Sequence, residues 1–183
     1  MPSLASSSFG IMLAILLSAC LKCVSYIGTI QIQGDLVDNQ PAITKEELLN
    51  TLSEEFPQVF DEHKIFDIEH VGYGDVRFRL HTQEKHLRPG GTVSGPTMMM
   101  LADCTSYVSV LSVLGKVLLA VTTNLNINFL RKPPKGDLIC EAQPLKVGKS
   151  LMVIETTLYG ADDPDKKTVA HATMTYSIPP KRD

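Results

Sequence analysis

The chain of 183 residues contains no tryptophan, and aromatic residues make up only 6% of it. Little is available for stacking on nucleic-acid bases. A basic excess is also missing, since 17 Lys and Arg stand against 20 Asp and Glu for a formal charge of −3. Nucleic-acid-binding surfaces carry the opposite balance, and no nucleic-acid partner is expected. Cysteine is confined to Cys20, Cys23, Cys104 and Cys140, which is no disulfide framework for a chain of this length. Cys20 and Cys23 have CxxC spacing, but no second pair or neighbouring histidines complete a ligand set. Neither a metal nor a cofactor is therefore expected. Cys104 and Cys140 lie in apolar patterns and read as small core residues.

A full membrane span is lacking as well. The apolar run FGIMLAILLSACL at residues 9–21 is shorter than the roughly 20 residues a spanning helix needs. Its length suits the core of an export signal, yet residues 1–8 hold no Lys or Arg, which such a signal normally has. Three readings stand: an extra helix on the domain, a weak export or anchoring segment, and a start codon set too far upstream. Contact with a membrane is expected only if this segment is retained. The polar stretch at 32–42 reads as a linker. The expected organisation is an N-terminal extension and linker over residues 1–40 and a single domain over 41–183.

What is present begins with a clear helix start. Thr44 and Glu47 have capping-box spacing, and Ile43 and Leu48 can form the hydrophobic staple across it. The helix KEELLNTLSEEF then stops at Pro57. An irregular piece follows, then DVRFRLHT, which alternates with period two and predicts a strand. After the turn RPGG, Ser94 is a predicted N-cap with Pro96 in the first turn. From Thr97 to Leu114 the residues are apolar or small on nearly every side except at Asp103, so this helix is expected to be buried all round. Gly115 ends it.

Four strands are predicted next, within AVTTNLNINFLRK, DLICEAQPLKV, SLMVIETTLYG and TVAHATMTYSI. Simple alternation puts Thr122, Asn124, Asn126 and Asn128 on one face of the first strand and Val121, Leu125, Ile127 and Phe129 on the other. The short connections PPKG, GKS and ADDPDKK predict antiparallel hairpins throughout. The fold class is α+β, a curled antiparallel sheet wrapped around a long central helix.

Three blocks in this order carry a resemblance: GTVSGPTMMMLAD, NLNINFLRKPPKGD and PLKVGKSL. Together they resemble the hotdog-fold, PaaI-like acyl-CoA thioesterases over residues 65–178. The resemblance puts Ser94, Gly95 and Pro96 on the family's His-Gly-Gly turn and Asp103 on its acid. Ser94 replaces the family histidine, and Arg88 replaces an asparagine that many members carry. The resemblance implies hydrolysis of an acyl-CoA substrate by a homodimer, with pairing into tetramers also implied. It places coenzyme A against Thr122 and Asn124, the segment from Phe129 to Pro134, and the turn from Lys146 to Leu151. Arg88, Arg131, Lys146, Gly148, Lys149 and Ser150 complete the candidate binding set.

The residues themselves suggest the chemistry. Free amides at a helix N-terminus concentrate partial positive charge, and Gly95 leaves its N–H open to approach. It is the candidate oxyanion donor, with Ser94 as a capping or donating neighbour, while Pro96 has no N–H to offer. A carboxylate set in apolar surroundings, as Asp103 is, makes a stronger base than a solvated one. Eight helical residues separate Gly95 from Asp103 by about 12 Å, too far to act on one carbonyl. A site combining Gly95 of one protomer with Asp103 of its twofold mate is expected. Ser106 and Tyr107 share the helix face of Asp103 and are expected to bond it. Met98, Met99 and Met100 read as core filler beside an acyl pocket. His171 is expected to be structural, and His86 is a candidate for the pocket mouth.

A competing reading is a hotdog protein that binds acyl thioesters without cleaving them, because Ser94 and Arg88 replace family residues. Another hotdog reaction, hydration or dehydration of an acyl chain, ranks lower because no histidine adjoins the acid. The expected compartment is the cytoplasm, where CoA esters occur, the alternative being export or anchoring through residues 9–21.

Overall fold

The computed structural model describes residues 40–60 and 65–180. The expectations for residues 9–21, Cys20 and Cys23 lie outside these. Helix α1 (Lys45–Glu55) starts as its cap predicts. Thr44 Oγ1 accepts from the Glu47 amide, and the Glu47 carboxylate accepts from the Thr44 amide. Ile43 and Leu48 are both buried beside the cap. After Phe56 one further turn, α2 (Pro57–Phe60), leads toward the sheet.

The strands are β1 (Phe66–Val71), β2 (Val76–Leu80), β5 (Val121–Phe129), β6 (Leu138–Val147), β7 (Leu151–Gly160) and β8 (Ala170–Ser177). Between β2 and β5 lie a 3-10 turn (Glu84–His86), the two-residue strands β3 (Leu87–Arg88) and β4 (Thr92–Val93), and helix α3 (Gly95–Leu114). β1 falls in the piece expected to be irregular. It is an edge strand with a register shift between Ile68 and His70, and the shift breaks the alternation by which a strand is recognised.

The six long strands form one antiparallel sheet in the order β1-β2-β6-β7-β8-β5. Their inward residues, among them Phe78, Leu138, Ile154 and Met174, are fully buried against α3. Although α3 is long and apolar enough to cross a membrane, 72% of its 18-residue apolar window is buried inside the domain, as expected of a core helix. Its hydroxyls are mostly satisfied internally: Ser109 donates to the Gly74 carbonyl, Gly74 donates to Ser112 Oγ, and Thr105 donates back to Leu101. These bonds fasten the far half of α3 to the β1–β2 turn.

The sheet order corrects the expected run of hairpins. β5 pairs with β8, not β6, so the PPKG segment is a crossover. From β5 to β6 it passes the ends of β8 and β7, three strand spacings or about 14 Å. Eight extended residues reach about 26 Å, which is ample. Gly160 at the end of β7 makes room, for a β-carbon there would collide with the Pro134 ring.

Alternation along β5 also needs correction. Thr122 pairs with Tyr176 and Asn124 with Thr175, leaving Thr123 as an extra residue. Such a bulge reverses the facing of whatever precedes it. Thr122 thereby leaves the face of Asn124, Asn126 and Asn128 and joins Leu125 and Ile127 on the side of the helix.

Candidate active site

The N-terminus of α3 is set by its cap. Ser94 Oγ accepts from the Thr97 amide at 3.4 Å and lies 2.9 Å from Thr97 Oγ1. Thr97 Oγ1 donates to the His86 carbonyl at 3.2 Å. Ser94 is therefore engaged as a cap. His86 is 5% exposed, and its Nδ1 accepts from the Gln83 amide, so it sits inside the turn and not at a pocket mouth. Gly95 is the first helical residue, where an amide has no partner within the helix. The Phe129 ring stands over it, since a β-carbon on Gly95 would lie 3.4 Å from that ring. Gly95 opens into a cleft of about 440 Å³ shared with Arg88, Met98, Phe129, Arg131 and Lys132. Of the three consecutive methionines only Met98 is buried; Met99 is exposed.

Asp103 opens elsewhere. It lines a separate cleft of about 400 Å³ with Leu52 of α1, Phe56 between α1 and α2, Phe60 of α2, Tyr107 of α3, the segment Leu118–Ala120, Thr122 and Tyr176. Its carboxylate is held from the sheet. Tyr176 donates to Oδ1 at 2.6 Å, with the Asp103 carbonyl also within 2.9 Å, and Thr122 donates to the same Oδ1 at 2.7 Å. Burial, then the Asp103 charge and the hydrogen bond to it, push the Tyr176 hydroxyl far above its ordinary pKa, so it remains a donor. Burial pushes the neighbouring Cys104 thiol up to about 12, the Asp103 charge adding to it. That thiol is inert as a nucleophile. The buried Cys140 thiol is likewise raised to about 12 by burial.

Two expected partners of Asp103 are displaced by these contacts. Tyr107 turns away and donates to the Leu118 carbonyl at 3.1 Å. The Ser106 hydroxyl is buried without a partner. Tyr176 was missed by sequence reasoning. It lies 73 residues from Asp103, and only its place in an alternating strand pointed inward.

The candidate binding residues divide between the two ends of the sheet. Gly148, Lys149 and Ser150 form the β6–β7 turn beyond the Val147–Met152 pair, and Lys146 lies in β6 opposite Val153; all four are at the end of the sheet that holds the Met152–Tyr176 pair and so on the Asp103 side. Gly148 is required by the turn itself: its amide donates to the Leu151 carbonyl, and a β-carbon would meet that oxygen at 2.7 Å. Arg131 follows β5 at the opposite end, bound to the Thr168 carbonyl at 2.8 Å. Arg88 is exposed, its Nε donating to Thr92 Oγ1 at 3.1 Å. Asn124 faces outward and is exposed. His171 contacts Glu155 at 3.4 Å on the outer sheet face, remote from both clefts. No group of metal ligands occurs among the described residues.

Known proteins share both the fold and the motif-bearing region. The thioesterase superfamily matches residues 90–167. A solved thioesterase candidate from Silicibacter sp. TM1040 is 44% identical, with a TM-score of 0.69 over 79% of this chain and 97% of the other. A Streptococcus mutans UA159 protein solved with bound acetyl CoA is 26% identical, with a TM-score of 0.56 over 64% of this chain and 91% of the other. An esterase candidate from Halobacterium salinarum is 33% identical over 96 residues, half of this chain and 63% of its own length. With its six-stranded antiparallel sheet curled on a buried central helix, the chain belongs to the thioesterase superfamily and has the hotdog fold.

Proposed function

We propose that the protein hydrolyses an acyl-CoA thioester, using Gly95 of one protomer and Asp103 of the other. Membership of the superfamily supports thioester hydrolysis, and the acetyl CoA held by the Streptococcus mutans relative supports the choice of thiol. One observation carries the shared site: within a single chain, Gly95 and Asp103 open into different clefts. The cations divide in the same way. Strand β5 is a nine-residue sheet edge, exposed along most of its length, and so long an open edge calls for a cover. A second copy laid antiparallel along β5 sets the Phe129 end of one chain against the Thr122 end of the other. Arg131 and Lys132 of one protomer then approach the Lys146–Lys149 turn of its mate, a cationic surround suited to phosphates. We place the protein in the cytoplasm, where this substrate class is found.

In this reading the Gly95 amide donates to the thioester carbonyl oxygen, where negative charge develops. The Asp103 carboxylate takes a proton from water as the water oxygen bonds to the carbonyl carbon. The carbon–sulfur bond then breaks with its electron pair going to sulfur, and the proton passes to the thiolate. Free acid and CoA result.

A mixing experiment tests the shared site. Gly95→Pro removes the amide at a position that accepts proline, and Ser94 is already extended at φ −76 and ψ 155, as a residue before proline must be. Asp103→Asn removes the base. Each variant alone should release almost no thiol from acyl-CoA. Random re-association of equal amounts should restore about a quarter of wild-type activity, because half the dimers hold one intact site. No recovery would place both residues in one protomer. A binding-only role is favoured by one observation, the engagement of Ser94 as a cap, which leaves no free hydroxyl there to hold water. Saturable acyl-CoA binding with no thiol release across short, aryl and long chains would establish it.

A further inference from the structure

We infer that Tyr176 is a positioning residue that gives the two oxygens of Asp103 different tasks, binding Oδ1 permanently so that Oδ2 alone meets water. This rests on the proposed hydrolysis for its catalytic half, whereas the hydroxyl–carboxylate contact stands on geometry.

Both donors to the carboxylate end on Oδ1, Tyr176 at 2.6 Å and Thr122 at 2.7 Å. Among the described residues no side-chain donor is assigned to Oδ2. A carboxylate oxygen that already accepts two short bonds has its electron density committed, and the other oxygen is the better proton acceptor. The tyrosine also lies 2.9 Å from the backbone carbonyl of the same aspartate. Two electron-rich oxygens of one residue thus face a single hydroxyl proton. Without that proton they repel, and the side chain rotates away. The hydroxyl therefore fixes the torsion of Asp103 as well as its charge distribution.

The two donors differ in permanence. Tyr176 is 2% exposed, in the core, with its ring 6.4 Å from that of Tyr107. Core packing holds the ring, and its raised pKa keeps the proton in place. Thr122 is exposed on the edge strand, so its hydroxyl is free to exchange Oδ1 for water or substrate. The tyrosine is the fixed half of the pair and the threonine the exchangeable half.

Tyr176→Phe deletes the hydroxyl and keeps the ring. The expected result is a fall in kcat of about 30-fold or more, with KM within about twofold, since a lost charge-assisted bond is worth roughly that factor. Adding Tyr176→Phe to Asp103→Asn should lower the residual rate no further. An equal fall in both backgrounds, or kcat kept within threefold, overturns the positioning role. A second measurement does not depend on turnover. In urea unfolding, Tyr176→Phe and Asp103→Ala should be non-additive, the double variant losing less than the sum of the singles. Strict additivity would refute the contact. A wild-type protein that turns over no thioester, yet shows this coupling, would overturn the hydrolytic reading and the task given to Oδ2 while leaving the clamp on Oδ1 intact.

Discussion

The two candidate catalytic positions of α3, Gly95 at its start and Asp103 near its middle, are built by different means. At Gly95 the chemistry comes from backbone: an uncapped amide, a residue without a side chain, and a serine three positions before its bonding partner. At Asp103 it comes from side chains delivered over long separations, 19 residues to Thr122 and 73 to Tyr176. The first cleft is bordered by Arg88, Arg131 and Lys132; the second is walled by Phe56, Phe60 and Tyr107. A donor for developing negative charge can be supplied by any helix start. A base of fixed orientation needs a surrounding fold, so damage at the two positions should differ in kind.

The largest expected effect is at the acid. Asp103→Asn should lower kcat by about 10³-fold or more, toward the top of the range for general base catalysis. The fold should survive, because the amide oxygen still accepts from Tyr176; steady-state kinetics and circular dichroism together check both points. At the helix start, Gly95→Pro should cost about 10²–10³-fold in kcat, the usual loss of one oxyanion donor, with the helix retained. Thr122→Val should be milder, at about tenfold, because the tyrosine still holds Oδ1. If Thr122→Val matched Asp103→Asn, the threonine would have to touch the reacting atoms directly.

Gly160→Ala attacks the crossover that carries Arg131 and Lys132 to the Gly95 end. The new methyl collides with the Pro134 ring and should lower stability by about 1–3 kcal/mol, read as a drop in urea midpoint. In the folded fraction KM should rise more than kcat falls. The smallest effect is remote from both positions. His81 lies between Asp67 at 2.9 Å and Asp137 at 3.0 Å. The hydrogen bond to Asp67 is the largest cause raising its pKa above 6.5. The protonated ring thus stabilises the fold fully below that value, and the contribution fades as pH rises through the folded-state pKa. The ring is 42% exposed, so the effect is modest. The stability advantage of wild type over His81→Asn should shrink as pH rises above about 6.5 and through the folded-state pKa, with catalysis unchanged.

How much of this was legible in the sequence depended on how local each cause was. The α1 cap, the α3 cap and the stop at Gly115 depend on residues within a turn of one another, and all were read correctly. Most strands were recognised from alternation. β1 was not, because it is an edge strand with an irregular register. The place of β5 beside β8 was hidden because a short connection ordinarily means a hairpin; here two prolines span the sheet end. Asp103 stood out as a charge in an apolar helix. Its true partners did not, since helical spacing favoured Ser106 and Tyr107 while the bonds came from strands.

The extra residue at Thr123 divides β5 into a short segment, Val121 and Thr122, and a longer one from Asn124 to Phe129, of opposite parity. Pairing β5 without the bulge, with Thr123 opposite Tyr176, would leave a continuous edge for a neighbouring chain and would turn the Thr122 hydroxyl to the outer face of the sheet, away from Asp103. Assembly and chemistry are thus separable at one peptide unit, and a one-residue slip of register there would silence such a protein while leaving its shape unaltered.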